Sequence, residues 1–347
     1  MSWRVNPREH DVGASFEARV SRGGGVSERS TMKAPFPAFG GKRLVTGLVW
    51  QRLGKPKHYI EPFCFSAAML LAAPREAELE VIGDANGFVA NFWRATKYQP
   101  EAVAEHADYP VSHVDLGARH RWLMEQRDRL ADALQDPEWP GDPQVAGWWL
   151  WGQCCWIGSG WCDWFKVTSA GMGVQALGKV PHVTSAGMGV QALGKVPHVS
   201  DAGRGYLTSG GAAAHVALTK LAARLGRVRV VHGNWDRCLN SHYGGKKTAV
   251  FLDPPYCGYE KLYGDSAPVA DEVASWARDN AGLRVAICGH VGDYDLPGWD
   301  AVQWSRGAST YAGKKTTDLE CIWFSPACIK PEPARQVDMF EMLKEPA

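Results

Sequence analysis

The string FLDPPY, residues 251–256, sets a carboxylate, two prolines and a tyrosine directly after an apolar run. Pro254 and Pro255 lock their own φ angles and carry no N–H, so the turn after Asp253 presents acceptors. An exocyclic amine on an aromatic ring offers two N–H donors, which suit the Asp253 carboxylate and the Pro254 carbonyl together. Drawing on those hydrogens moves the nitrogen toward sp³ geometry and frees a lone pair otherwise delocalised into the ring. Tyr256 adds a face on which such a ring can stack. The same residues also describe a plain strand-ending Asp-Pro-Pro turn with a structural aromatic, and the string alone leaves both readings open.

Such a turn needs a sheet to hold it. HYIEPF (58–63), LEVIG (79–83, ending before the acidic turn at Asp84), TAVFLDPPY (248–256), LRVAICGH (283–290) and LECIWFSP (319–326) read as short apolar strands. SAAMLLAA (66–73), the stretch after Asp84, and APVADEVASWARDN (267–280) read as helices. Strands alternating with helices predict an α/β sheet with both faces covered. Ligands of such sheets sit outside the carboxyl ends of the strands, where Asp253 stands. The rhythm fails between about 95 and 245, which predicts a region inserted between two halves of the α/β domain, 32–95 and 246–330. Residues 1–31 are polar and rich in Gly, Ser and Arg, a mobile tail, and 331–347 form a second tail.

The bulk numbers bound the function. A chain of 347 residues with 45% apolar and 22% charged residues is ordinary for a soluble globular protein. No apolar run reaches the length of a membrane span and the N-terminus has no apolar leader core, so a cytoplasmic protein without membrane contact is expected. Nine scattered cysteines suit reduced thiols. A net charge of +1 gives no chain-wide nucleic-acid footprint, although one cleft can still concentrate positive charge.

Several strings, in order, resemble the motifs of the Dam-type N6-adenine DNA methyltransferases, and more closely the bacteriophage DNA adenine methylases. FPAFGGKR (36–43) resembles the N-terminal cofactor motif, YIEPFCFSAA (59–68) the E-P-F-x-G motif and GDANGFVANFWRA (83–95) the acidic motif. DPPY is the family's catalytic signature and ECIWFSP resembles its last strand. The resemblance spans about Lys33 to Pro326. It implies an α/β, Rossmann-like sheet of the S-adenosylmethionine-dependent methyltransferases with an inserted, mainly helical and loop target-recognition region at 96–245.

The same resemblance implies a reaction: methyl transfer from S-adenosylmethionine to adenine N6 in double-stranded DNA, by a monomer that flips the base. It assigns catalysis to Asp253, Pro254, Pro255 and Tyr256. Cofactor contacts fall to Phe39, Gly40, Gly41, Lys42, Glu61, Pro62, Phe63, Asp84, Ala85 and Asp253, with Glu61 and Phe63 along the methionine and adenosine and Asp84 on the ribose hydroxyls. Two departures are visible. Phe65 stands where the family usually has Gly, and Ala38 where many relatives carry an aromatic residue. A side chain at 65 is expected to crowd the cofactor space. Modification of cytosine N4 by the same acceptors, a bulkier transfer, and a DNA-binding relative without catalysis are the competing readings.

Other residues invite chemistry of their own. Lys246, Lys247, Lys314 and Lys315 are candidate phosphate contacts, as are Lys179 and Lys195 in a Gly-rich stretch. That stretch is a perfect tandem duplication, VTSAGMGVQALGKVPH at 167–182 and again at 183–198. Its G-x-x-x-x-G-K strings are not phosphate loops, because Val180 and Val196 replace the required Ser or Thr and Pro181 and Pro197 interrupt a following helix. Cys154, Cys155 and Cys162, with His182 and His198, lack zinc spacing, so no metal is expected. His290 ends a strand near the site and is expected to be structural. Nine of the sixteen tryptophans fall between Trp93 and Trp164, and their spacing predicts burial for most.

Overall fold

Runs of four to seven residues rich in Val, Ile and Phe, too short for a stable helix, supply the strands of one sheet. A computed structural model describes residues 32, 34–36, 42–109, 112–155, 161–162, 211–239, 247–256, 267–304 and 320–331. Ala38, Phe39, Gly40, Gly41, Lys179, His182, Lys195, His198, Lys246, Lys314 and Lys315 lie outside them, as do the duplication, the predicted tail 1–31 and, beyond its first residue, the tail 331–347.

The strands are His58–Glu61 (β1), Leu79–Asp84 (β2), Val228–His232 (β3), Thr248–Leu252 (β4), Arg284–His290 (β5), Asp300–Trp304 (β6) and Glu320–Phe324 (β7). They lie in the order β3-β2-β1-β4-β5-β7-β6. Strands β1 to β5 are parallel, whereas β7 runs antiparallel to both of its neighbours. Central β4 and β7 are buried at every position, as strands covered on both faces must be. The edge strands β3 and β6 carry exposed residues.

The helices are Thr46–Leu53 (α1), Ala68–Leu71 (α2), Gly87–Tyr98 (α3), Pro100–Ala107 (α4), His113–Glu125 (α5), Arg127–Ala133 (α6), Pro143–Cys155 (α7), Gly211–Leu225 (α8) and Ala267–Asp279 (α9). Alternate strand residues feed two cores. Ile82, Phe251, Cys288 and Phe324 pack with α3, α4, α7 and α8 on one face, while Val81, Val250, Ile287 and Trp323 pack with Val273 and Ala277 of α9 on the other. Helix α3 is buried almost all round. Its Asn91 amide donates to the Asp142 carbonyl at 3.0 Å and accepts from the Asp142 N–H at 2.7 Å, which fixes the start of α7.

Two sequence expectations change here. The segment 96–245 is not wholly separate from the sheet domain: β3 extends the sheet beside β2, and α4, α7 and α8 share the core of β1, β2 and β4. Its composition differs because α7 is a tryptophan-rich helix buried on nearly every side. Helix 66–73 shrinks to Ala68–Leu71, since Phe65 and Ala67 adopt left-handed backbones, φ 34° and 47°. No helix among the described residues is long and apolar enough to cross a membrane.

Candidate active site

The order β3-β2-β1 followed by β4-β5 makes the chain change direction between β1 and β4, the place where open α/β sheets leave a crevice. The carboxyl ends of these strands bring Glu61, Asp84, Asp253 and His290 to one edge of the sheet. Because β7 is reversed, its first residue joins them: Glu320 pairs in register with His290.

Asp253 leaves β4 where the prolines end strand pairing. Lys42 opens a single 3₁₀ turn, Lys42–Val45, and is buried to 4% exposure. Its Nζ lies 2.9 Å from Asp253 Oδ1 and 3.6 Å from Glu320 Oε2. Burial pulls the lysine pKa down most strongly, but the negative fields of the Asp253 and Glu320 carboxylates, with the hydrogen bond to Asp253, oppose it and the net shift is upward. The Tyr256 hydroxyl reaches the same two carboxylates, 3.2 Å from Asp253 Oδ1 and 3.3 Å from Glu320 Oε2. Lys42 Nζ stands 5.1 Å from the Tyr256 ring centre, and the His290 ring meets it edge-on at 4.7 Å. The His290 backbone N–H donates to Asp293 Oδ2 at 2.6 Å.

The other two carboxyls differ in how they are held. Glu61 is 2% exposed, and its Oε2 accepts from both the Tyr59 hydroxyl and the Leu70 N–H, each at 3.0 Å. Burial pushes its pKa up to about 8 in spite of those bonds. Asp84 accepts one backbone N–H on each oxygen, Phe65 at 3.0 Å on Oδ2 and Asn86 at 2.9 Å on Oδ1. Burial raises it to about 6. Each Asp84 oxygen keeps a lone pair for a further donor. Pro62 is buried, Ala85 is an exposed turn residue, and half-buried Phe63 lies nearly parallel to Trp235, ring centres 6.4 Å apart. The Trp235 indole N–H is buried without an acceptor among the described residues.

The Phe65 ring does not stand alone at the motif's glycine position. It meets Phe36 edge-on at 5.3 Å and Trp149 at 6.4 Å, on the aromatic core beneath α3 and α7. Core packing therefore takes up part of the crowding expected there.

The structure thus gathers Asp253, Tyr256 and Lys42 into one cluster and places Glu61, Phe63 and Asp84 along the same edge. It adds Glu320, which sequence reading does not assign; the available sign is an acidic residue heading an otherwise apolar strand. Lys247 lies elsewhere. It precedes β4 at the amino end, about 20 Å along the strand from Asp253, and its carbonyl accepts from Lys57 and His58. Trp149 and Trp151 are fully buried and Trp161 nearly so. Cys154, Cys155 and Cys162 are free thiols, and no group of three His, Cys, Asp or Glu among the described residues is placed to hold a metal. No protein-family model matches the chain, and no curated protein matches it.

Proposed function

We propose that the chain is a DNA adenine N6-methyltransferase that uses S-adenosylmethionine and double-stranded DNA. The observation that carries this reading is the placement of Asp253, followed by Pro254 and Pro255, at the crossover between β1 and β4 and in contact with Lys42 and Tyr256. A structural turn has little need of a buried lysine and a second carboxylate converging on its aspartate.

The walls around the crevice fit the proposed cofactor. Asp84 has free lone pairs suited to ribose hydroxyls, and Phe63 with the orphan Trp235 N–H suits a flat heterocycle bearing acceptors. Glu61 suits the amino-acid end. Bound S-adenosylmethionine supplies an electrophilic methyl group on a positively charged sulfur. The work of the chain is to hold and activate the amine: the Asp253 carboxylate and the Pro254 carbonyl accept its two hydrogens, and the Asp253 side takes the proton that leaves. This is catalysis by position and electrostatics. An amine paired inside a duplex is out of reach, so the adenine flips out, and Tyr256 provides the ring on which it stacks.

The test is transfer of a labelled methyl group to duplex DNA, with the altered nucleoside identified by mass. Wild type is expected to yield N6-methyladenine, and Asp253→Asn to lose at least about 10³-fold in rate while keeping its circular dichroism spectrum. No transfer by wild type, or full activity in the variant, overturns the proposal; label on cytosine moves the assignment to N4-cytosine.

A further inference from the structure

Glu320 opens the ECIWFSP strand but has no role in the reading above, yet it is buried to 7% exposure and touches the same two groups as Asp253. The Lys42 ammonium stands 2.9 Å from Asp253 and 3.6 Å from Glu320. The Tyr256 hydroxyl stands 3.2 Å from one and 3.3 Å from the other. Both groups bear on Asp253 Oδ1, which leaves the second carboxylate oxygen to accept from a substrate amine. Once Asp253 takes the proton of that amine its charge is gone, and Lys42 and Tyr256 then need another anion, since a buried ammonium without a partner is costly.

We propose that Glu320 is a positioning residue that takes over Lys42 and Tyr256 from Asp253 when Asp253 takes the proton of the substrate amine. The short difference between the two Lys42 contacts makes the exchange a small side-chain movement. The antiparallel placement of β7 is what makes it possible, because only a reversed strand brings its first residue beside the last residue of β5. The catalytic part of this inference rests on the methyl-transfer reading. In that step the S–CH₃ bond breaks with its electron pair going to sulfur, the N6–CH₃ bond forms from the nitrogen lone pair, and one N6 proton passes to Asp253. Groups facing Lys42 include Asp253 after β4, Glu320 on β7, Cys288 on β5 and the Tyr256 ring.

Two experiments on the full chain separate this inference from the functional reading. The first is a thermal cycle. Glu320→Gln is expected to lower Tm in wild type, where it removes a partner of Lys42. In Lys42→Met the same change is expected to raise Tm, because two carboxylates bridged by one tyrosine hydroxyl lose a repulsion. Should Lys42→Met not fold, Asp253→Asn serves instead: there Glu320→Gln removes the second carboxylate of the pair that holds Lys42, and the loss in Tm is expected to exceed that in wild type. An equal decrease in every background overturns the shared-cation arrangement. The second is methyl-transfer kinetics, in which Glu320→Gln is expected to lower kcat at least about tenfold with cofactor KM little changed, and Glu320→Asp to recover part of it. Unchanged kcat overturns the positioning role. Wild type without transfer defeats the functional reading and the catalytic use of Glu320 with it, while the thermal cycle still decides whether Lys42 is shared.

Discussion

The Phe65 backbone N–H donates to Asp84 Oδ2 at 3.0 Å from a left-handed conformation, φ 34°, that side chains rarely adopt. The Phe65 carbonyl accepts from the Trp93 indole at 2.9 Å, so the peptide on each side of the residue is fixed. The backbone thus behaves as the glycine of the resembled motif would, while the ring contributes to the core.

That combination reverses a familiar order of stability. Phe65→Ala removes the ring and keeps a Cβ at positive φ; Phe65→Gly removes the ring and relieves the strain. Glycine usually costs stability relative to alanine, but here Phe65→Gly is expected to be the more stable of the two by about 1 kcal/mol. Both are expected to fall below wild type through lost packing on Phe36 and Trp149. Thermal or urea unfolding of the three proteins checks this, and an alanine variant more stable than the glycine variant contradicts the strained backbone.

Glu61 makes the protein sensitive to pH in the opposite sense to a salt-bridged carboxylate. Its folded pKa, about 8, lies above the ordinary 4.5, so the folded state binds this proton more tightly than the unfolded chain does. The stabilisation is complete below about pH 4.5 and is lost as pH rises through about 8. Glu61→Gln cannot ionise, so its Tm minus that of wild type is expected to grow from pH 5 to pH 8 and flatten above 9. A cationic ligand group beside Glu61 favours the charged carboxylate. Binding of S-adenosylmethionine at pH 7 is therefore expected to release a proton, read as a binding heat that differs between phosphate and Tris buffers and converges above pH 9.

How much of this was legible in sequence follows from where each residue sits in the sheet. The central strands β1, β4, β5 and β7 are covered on both faces and spell short apolar runs that local reading finds. Edge strands β3 (VRVVH) and β6 (DAVQW) mix charged and apolar residues because one side meets solvent, and local reading finds neither. The place of Asp253 and Asp84 at the carboxyl edge was legible because each follows an apolar run that reads as a strand, whereas Glu61 was singled out only by the motif it resembles. The place of Glu320 was not legible, since its position depends on β7 inserting in reverse between β5 and β6, and strand order is not a local property. Phe65 was visible as a departure, but its φ and the direction of its ring were not.

The tryptophans of α7 serve the core, and Gly152 shows how tightly. A Cβ built there would overlap the Trp161 indole. That indole is anchored by its own N–H, which donates to the Trp149 carbonyl at 3.0 Å, so it has little freedom to withdraw. Gly152→Ala, normally favourable within a helix, is expected to destabilise by about 1–3 kcal/mol. Combining it with Trp161→Leu, which clears the overlap, is expected to cost less than the sum of the two single changes. Additive losses in a denaturation series count against this packing.

Asp84 and Glu61 are predicted to respond differently to the same chemical change, because their donors are distributed differently. The Tyr59 hydroxyl and the Leu70 N–H both reach one oxygen of Glu61, Oε2, and the single carbonyl oxygen of a glutamine can keep these two. The two donors to Asp84 reach separate oxygens, and asparagine has only one to offer. Its NH₂ must then face either the Phe65 or the Asn86 N–H, donor against donor. Asp84→Asn is accordingly expected to cost about 1–3 kcal/mol at pH 7 and to weaken cofactor binding, whereas Glu61→Gln is expected to leave stability at pH 7 equal or higher. Asp84 has its folded pKa raised from 3.8 to about 6, so the folded wild type takes up a proton that the unfolded chain does not and gains stability as pH falls. Asp84→Asn cannot titrate, and the gap between the two should widen as pH falls from 7 to 5. A gap that stays constant over that range, or an Asp84→Asn protein as stable as wild type, would show that the carboxylate is not buried and held by the two N–H bonds as described.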